Sequence, residues 1–147
     1  MSESDKKPLF LIYNSPQGGV KVEVVVNDET VWVTQKAMAG LFNVEIPTIN
    51  YHLKKIFADS ELEKEATIRK FLIVQSEGNR CVEREIEYYN LDAIISVGYR
   101  VNSRQATQFR VWATKTLREY IQKGFVLDDE RLKQGQSFLG KDYSVLT

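Results

Sequence analysis

From Ser103 to Lys123 the chain contains neither proline nor glycine, and Phe109, Trp112, Ala113, Leu117, Tyr120 and Ile121 recur there at helical spacing. A helix with that period carries one apolar stripe, and the stripe has to be buried against something. Ser103 is placed to cap this helix, and Gly124 stands where a C′ glycine stops one. The remainder of the chain must therefore supply a partner surface. With 147 residues, 43% of them hydrophobic, it has enough material for one core, which excludes disorder throughout.

The partner surface is written as strands. Leu9 to Tyr13 is apolar and β-rich, and the turn formers Asn14 to Gly19 close it. Val20, Val22, Val24 and Val26 then alternate with polar residues, and Asn27-Asp28-Glu29 turns the chain into Thr30 to Val33. A three-stranded antiparallel meander is expected. Ile68 to Gln75 and Val82 to Tyr88 read as a second hairpin about Ser76 to Asn79. Asn90 is placed to cap a helix from Leu91 to about Arg100.

Charge and composition narrow the function. Twenty basic and twenty acidic side chains give a formal net charge of zero, so wholesale polycation behaviour is excluded and any nucleic-acid affinity must be local. The single cysteine, Cys81, reads as a buried structural thiol, and the single histidine, His52, as a helix residue without a nucleophilic partner. Gly18-Gly19 lacks the spacing and lysine of a phosphate loop, and the link carrying Asp59, Glu61, Glu63 and Glu65 lacks the pattern of a calcium loop. No enzyme constellation emerges, and neither cofactor nor metal is expected. No apolar run reaches the ~20 residues of a membrane span, and Met1 to Pro8 is charged rather than signal-like. The expectation is a cytoplasmic protein with a disordered N-terminus over 1–8, one domain over 9–126, and a short helix and flexible tail over 127–147.

The most informative stretch runs from Thr34 to Phe57. Thr34 can cap a short helix whose stripe is Met38, Leu41 and Phe42, Asn43 can end it, and Pro47 suits the start of a second helix with Ile49, Leu53, Ile56 and Phe57 inward. A helix-turn-helix needs a small residue where the helices touch, a turn residue tolerant of positive φ, and an apolar plug beyond it. Ala39, Asn43, Val44 and Ile49 meet those offsets. The outward residues of the second helix are then Thr48, Asn50, Tyr51, Lys54 and Lys55, types able to contact bases and phosphates in a major groove. Gln35 and Lys36, at the start of the first helix, are placed for backbone phosphate. Glu45 at the leading edge of the second helix opposes phosphate, and Ile46 and Pro47 are unlike polar base readers.

A second electropositive element lies between Gly98 and Gly124, where Arg100, Arg104, Arg110, Lys115, Arg118 and Lys123 face one acid, Glu119. Arg100 and Arg104, between two helices, read as phosphate holders. Arg110, Lys115 and Arg118 read as a solvated face or as partners of the acidic segments.

The runs WVTQKAMAGLFNVEIPTINYHLKKIF and EREIEYYNLDAIISVGYRVNSRQATQFRVWATKTLREYIQKGF resemble the RhuM family of bacterial virulence-associated proteins. The N-terminal region is similar to the Bro-N and KilA-N domains of phage antirepressors and large DNA viruses. The resemblance implies a DNA-binding module with a winged helix-turn-helix-like α+β fold, and relatives that continue past Thr147. Where such relatives carry polar residues after the valine of the turn, this chain has Glu45, Ile46 and Pro47.

The expectation is thus an α+β fold with a meander, a helix pair, a second hairpin and a long C-terminal amphipathic helix. The expected function is a non-enzymatic module that binds double-stranded DNA and regulates transcription of a virulence-associated or mobile-element locus. The alternative is a protein-interaction adaptor or toxin-associated partner, with Ile46-Pro47 as its contact. The oligomeric state is open, and a homodimer would suit two half-sites.

Overall fold

A computed structural model describes residues 8–123 and 145–146. The expectations for the first seven residues, for Gly124 as a helix stop and for a helix over 128–133 lie outside the described residues.

The first strands follow their alternation. β1 (Leu9–Asn14), β2 (Lys21–Asn27) and β3 (Thr30–Val33) form the meander. Then come α1 (Gln35–Phe42), α2 (Ile46–Ala58), a single helical turn α3 (Lys64–Thr67), β4 (Ile68–Glu77), β5 (Arg80–Asn90), α4 (Leu91–Val101), α5 (Ser103–Lys123) and β6 (Val145–Leu146). β4 and β5 pair along their whole length from Ile68↔Tyr89 to Glu77↔Arg80. Trp32↔Asn90 and Val33↔Tyr89 join this hairpin to the meander, so one antiparallel sheet runs β1-β2-β3-β5-β4-β6. β6 falls within the stretch read as a flexible tail and pairs with β4 at Leu72↔Leu146 and Ile73↔Val145.

Strand alternation sends side chains to opposite faces of this sheet. Leu9, Leu11, Tyr13, Val22, Val24, Val26, Val31, Val33 and Tyr89 share a core with α1, α2, α4 and α5. On the other face Phe10, Val25, Trp32, Phe71, Ile73 and Tyr88 form a second buried cluster. The Arg69 guanidinium lies 5.0 Å from the Trp32 ring centre on that side and pairs with Asp28 at 3.0 Å. It thereby ties β4 to the β2–β3 turn across the sheet.

The stripe of α5 buries Ala106, Phe109 and Ala113, and the Tyr13 ring meets Phe109 and Trp112 edge-on, both at 5.1 Å between centres. Complete burial of a side chain such as Phe109 stabilises by about 1.5–3 kcal/mol, and α5 makes several such contacts with the sheet. The capping residue of α5 is Asn102, not Ser103. Its Oδ1 accepts from the Gln105 N–H at 3.3 Å, while its Nδ2 donates to the Phe42 carbonyl at 3.2 Å. One asparagine thus caps α5 and fastens it to the end of α1, which a serine one residue later is too short to do.

Cys81 is exposed, contrary to the buried thiol expected from its strand position. The physical reason is the length of the β4–β5 hairpin. Its distal half, from Ser76 through Arg80 to Glu85, reaches beyond the core, and alternation there no longer separates inside from outside.

Candidate functional site

The helix pair assembles as its sequence dictates. The Thr34 hydroxyl accepts from the Ala37 N–H at 3.0 Å and opens α1. Asn43 takes φ 58° and ψ 50°, the left-handed conformation that ends it. The Val44 N–H then reaches back to the Ala39 carbonyl at 3.1 Å. α2 restarts from Glu45, whose carbonyl accepts from Thr48 at 3.0 Å and Ile49 at 3.3 Å, with a proline in its first turn. Ile49, Leu53 and Ile56 are buried against the first helix and α4, and Phe57 is half-buried at their edge.

The outward residues separate into two groups. Lys36, Tyr51, Lys54 and Lys55 are exposed, Tyr51 by 58%. Thr48, Gln35 and Asn50 are half-buried. Asn50 Nδ2 lies 3.4 Å from Gln35 Oε1, Gln35 Nε2 donates to the Tyr89 hydroxyl at 2.9 Å, and that hydroxyl donates to Glu87 Oε1 at 3.2 Å. Burial first, and then the Glu87 carboxylate, push the Tyr89 hydroxyl above its usual range, while the bond donated by Gln35 acts the other way. Tyr89 therefore stays protonated and serves as a fixed relay between the helix pair and β5.

Arg100 and Arg104 have different surroundings. Arg100, at the end of α4, pairs with Glu61 in the link after α2 at 3.0 Å. Its charge is also felt by His52, whose pKa is lowered by burial first and by Arg100 second. Arg104 is exposed near the start of α5, two residues past the Asn102 that holds the α1 carboxyl end. The structure thus gathers Gln35, Lys36, Asn50, Tyr51, Lys54 and Lys55 on one helix pair, and engages Arg100 elsewhere. Sequence reasoning missed the Gln35–Tyr89–Glu87 chain, because its members lie 54 residues apart. It also left Glu61 unassigned among four acids of the same link.

Two apolar groups complete the surface. Ile46 is 44% exposed at the start of α2, next to exposed Pro47, and the Tyr51 ring leans on His52 at 5.1 Å between centres. Among the described residues no group of His, Cys, Asp and Glu is arranged to hold a metal ion. No helix among them is long and apolar enough to cross a membrane.

Fold and surface together define an α+β domain with one antiparallel sheet, helices on one face of it, and a basic and aromatic helix edge. The model of the virulence protein RhuM family matches residues 66–145, more than half of the chain, and the chain belongs to that family. No curated protein and no solved structure matches it.

Proposed function

We propose that the chain is a non-enzymatic module that binds double-stranded DNA through the α1–α2 pair, as a winged helix-turn-helix of the Bro-N and KilA-N kind, and regulates transcription at a virulence-associated or mobile-element locus. The observation that carries the reading is the turn itself, where a left-handed Asn43 joins two helices and Ile49 locks the second against the first. That arrangement leaves Tyr51, Lys54 and Lys55 along one exposed edge. Lys54 and Lys55 supply charge for phosphates, Tyr51 an apolar ring with a polar tip, and Thr48 and Asn50 the groups that meet base edges. Asn50 reaches a base by exchanging its long bond to Gln35, which then keeps Tyr89 as its partner. A homodimer would read two half-sites about 34–36 Å apart.

The test is a mobility shift with random duplex DNA at low and moderate salt, comparing the wild type with Lys54→Glu/Lys55→Glu. Binding that weakens steeply with salt and disappears in the double variant is the expected result. Absence of binding by the wild type at low salt overturns the reading.

A second reading is an adaptor for a protein partner, and the exposed Ile46 beside Pro47 and Tyr51 favours it. So do the exposed carboxylates of Glu45 and Glu87 near the same helix pair, which repel phosphate. Its signature is a co-purifying protein that is lost on Ile46→Asp, with no affinity for duplex DNA.

A further inference from the structure

α5 starts against the α1–α2 turn, because the Asn102 side chain that caps it is bonded to the Phe42 carbonyl. From there Arg104, Thr107, Val111, Lys115 and Arg118 follow at spacings of three, four, four and three, and all five are exposed. At 1.5 Å per residue they form a single stripe about 21 Å long on the side opposite the buried Ala106, Phe109 and Ala113. Arg110 flanks it, with its Nε–H donating to the Tyr99 hydroxyl at 3.3 Å.

The electrostatics of the stripe are one-sided. No Asp or Glu occurs from Val101 to Arg118. Among the described residues Arg69, Arg84 and Arg100 have carboxylate partners in Asp28, Glu77 and Glu61, whereas Arg104, Lys115 and Arg118 have none. A chain with zero net charge thus carries three cations on one helix face that have no carboxylate partner among the described residues. Of the two expectations for Arg110, Lys115 and Arg118, the solvated face is the one observed, since none of them pairs with a carboxylate among the described residues.

We infer that the Arg104–Thr107–Lys115–Arg118 face of α5 is a second DNA contact, which binds the phosphodiester backbone of the duplex whose groove faces α2. The inference rests on the proposed DNA-binding function and extends it. α5 begins at the Phe42 carbonyl, one residue before the turn from which α2 restarts, and this shared origin is what brings the α5 stripe within the proposed reach of a duplex held at α2. The chemistry suits phosphate better than the alternatives. A protein interface needs apolar anchors at its centre, and this stripe offers only Val111. A membrane surface needs a free apolar helix face to enter the headgroups, and that face of α5 is spent on the core.

The experiment titrates the full chain with a fluorescent random duplex over a range of salt. It compares the wild type, Arg104→Gln/Lys115→Gln/Arg118→Gln, Lys54→Glu/Lys55→Glu, and a control of equal charge change, Lys64→Gln/Lys70→Gln/Arg80→Gln. All substituted positions are exposed, and circular dichroism checks that each variant is folded. Loss of three phosphate contacts should flatten the log–log salt dependence by about 2.7, at about 0.9 per contact. Affinity at low salt should fall by about tenfold or more, with the control close to wild type. An unchanged slope in the α5 triple, or an equal loss in the control, overturns the α5 contact. If the wild type binds no duplex, both the proposed function and this extension fall. If the α5 triple loses binding while Lys54→Glu/Lys55→Glu keeps it, the α5 contact stands and the groove-reading role of α2 is what fails.

Discussion

Gly98 of α4 lies directly beneath Phe42 of α1, so closely that a Cβ on the glycine would stand 2.6 Å from the Phe42 Cζ and 2.6 Å from the Ala106 Cβ. Three helices meet at this point, and the Phe42 carbonyl is the acceptor that fastens α5 through Asn102. The bare glycine is what lets α4 approach α1 and α5 without a gap.

Gly98→Ala should therefore destabilise the domain despite the better helix propensity of alanine. Propensity contributes about 1 kcal/mol in favour of Ala, while overpacking a closed site costs about 1–3 kcal/mol. Phe42 is buried and has little room to swing aside. A net loss of up to about 2 kcal/mol is expected from urea denaturation. A midpoint equal to or above the wild-type value would show that the ring yields freely.

The β2–β3 turn works the other way. Asp28 and Glu29 both adopt positive φ, at 55° and 62°, in the two-residue loop between Asn27 and Thr30. Aspartate tolerates that region, and Asp28 also holds Arg69 at 3.0 Å, but glutamate has no such compensation and pays roughly 1–2 kcal/mol of steric strain there. Glu29→Gly should raise stability by about 0.5–1 kcal/mol once the extra flexibility of the unfolded glycine is set against that strain. The check is a thermal melt. A lowered midpoint would mean that Glu29 makes a compensating interaction.

The turn and cap positions explain how much could be read in advance. Thr34, Asn43 and Asn90 act on groups within four residues of themselves, so their local chemistry determines the helix ends. The meander and the β4–β5 hairpin follow from alternation for the same reason. Asn102 escaped because Asn102 and Ser103 are both good caps, and the choice is made by the Phe42 carbonyl 60 residues away. In the candidate site, the exposed edge of Tyr51, Lys54 and Lys55 was legible from helical period alone. The ties of Asn50 to Gln35, Gln35 to Tyr89 and Arg100 to Glu61 were not, since each joins segments that only the folded sheet brings together.

Gln35→Ala tests the relay behind the helix pair. Tyr89 keeps Glu87 as acceptor, but the bond donated by Gln35 and the long bond that Gln35 accepts from Asn50 are both lost, with a stability cost of about 1–2 kcal/mol. The more diagnostic change is in titration. The Gln35 bond lowers the Tyr89 pKa against the upward push of burial, so its removal should move that hydroxyl further above its ordinary value of 10.0. NMR of the tyrosine Cζ resonance through alkaline pH reads this directly. An unmoved titration would show that Gln35 does not reach Tyr89 in solution.

His52 makes stability depend on pH in a defined window. Its Nδ1 is buried without a hydrogen-bond partner, and burial followed by the Arg100 charge lowers its pKa below the ordinary 6.5. With the folded value below the unfolded one, the unfolded chain takes up the proton first as pH falls. The contribution of His52 is therefore complete above about pH 6.5 and declines below it until the folded value is passed, where it levels off. His52→Gln should remove this decline while leaving the steeper carboxylate-driven loss at lower pH. Arg100→Gln should shrink it by letting the His52 pKa rise, and the exposed pair it breaks with Glu61 costs no more than about 1 kcal/mol. Urea midpoints between pH 7.5 and 5 for the three proteins provide the measurement. Parallel curves for wild type and His52→Gln across that range would show that His52 titrates alike in the folded and unfolded chains, and that the Arg100 charge does not reach it.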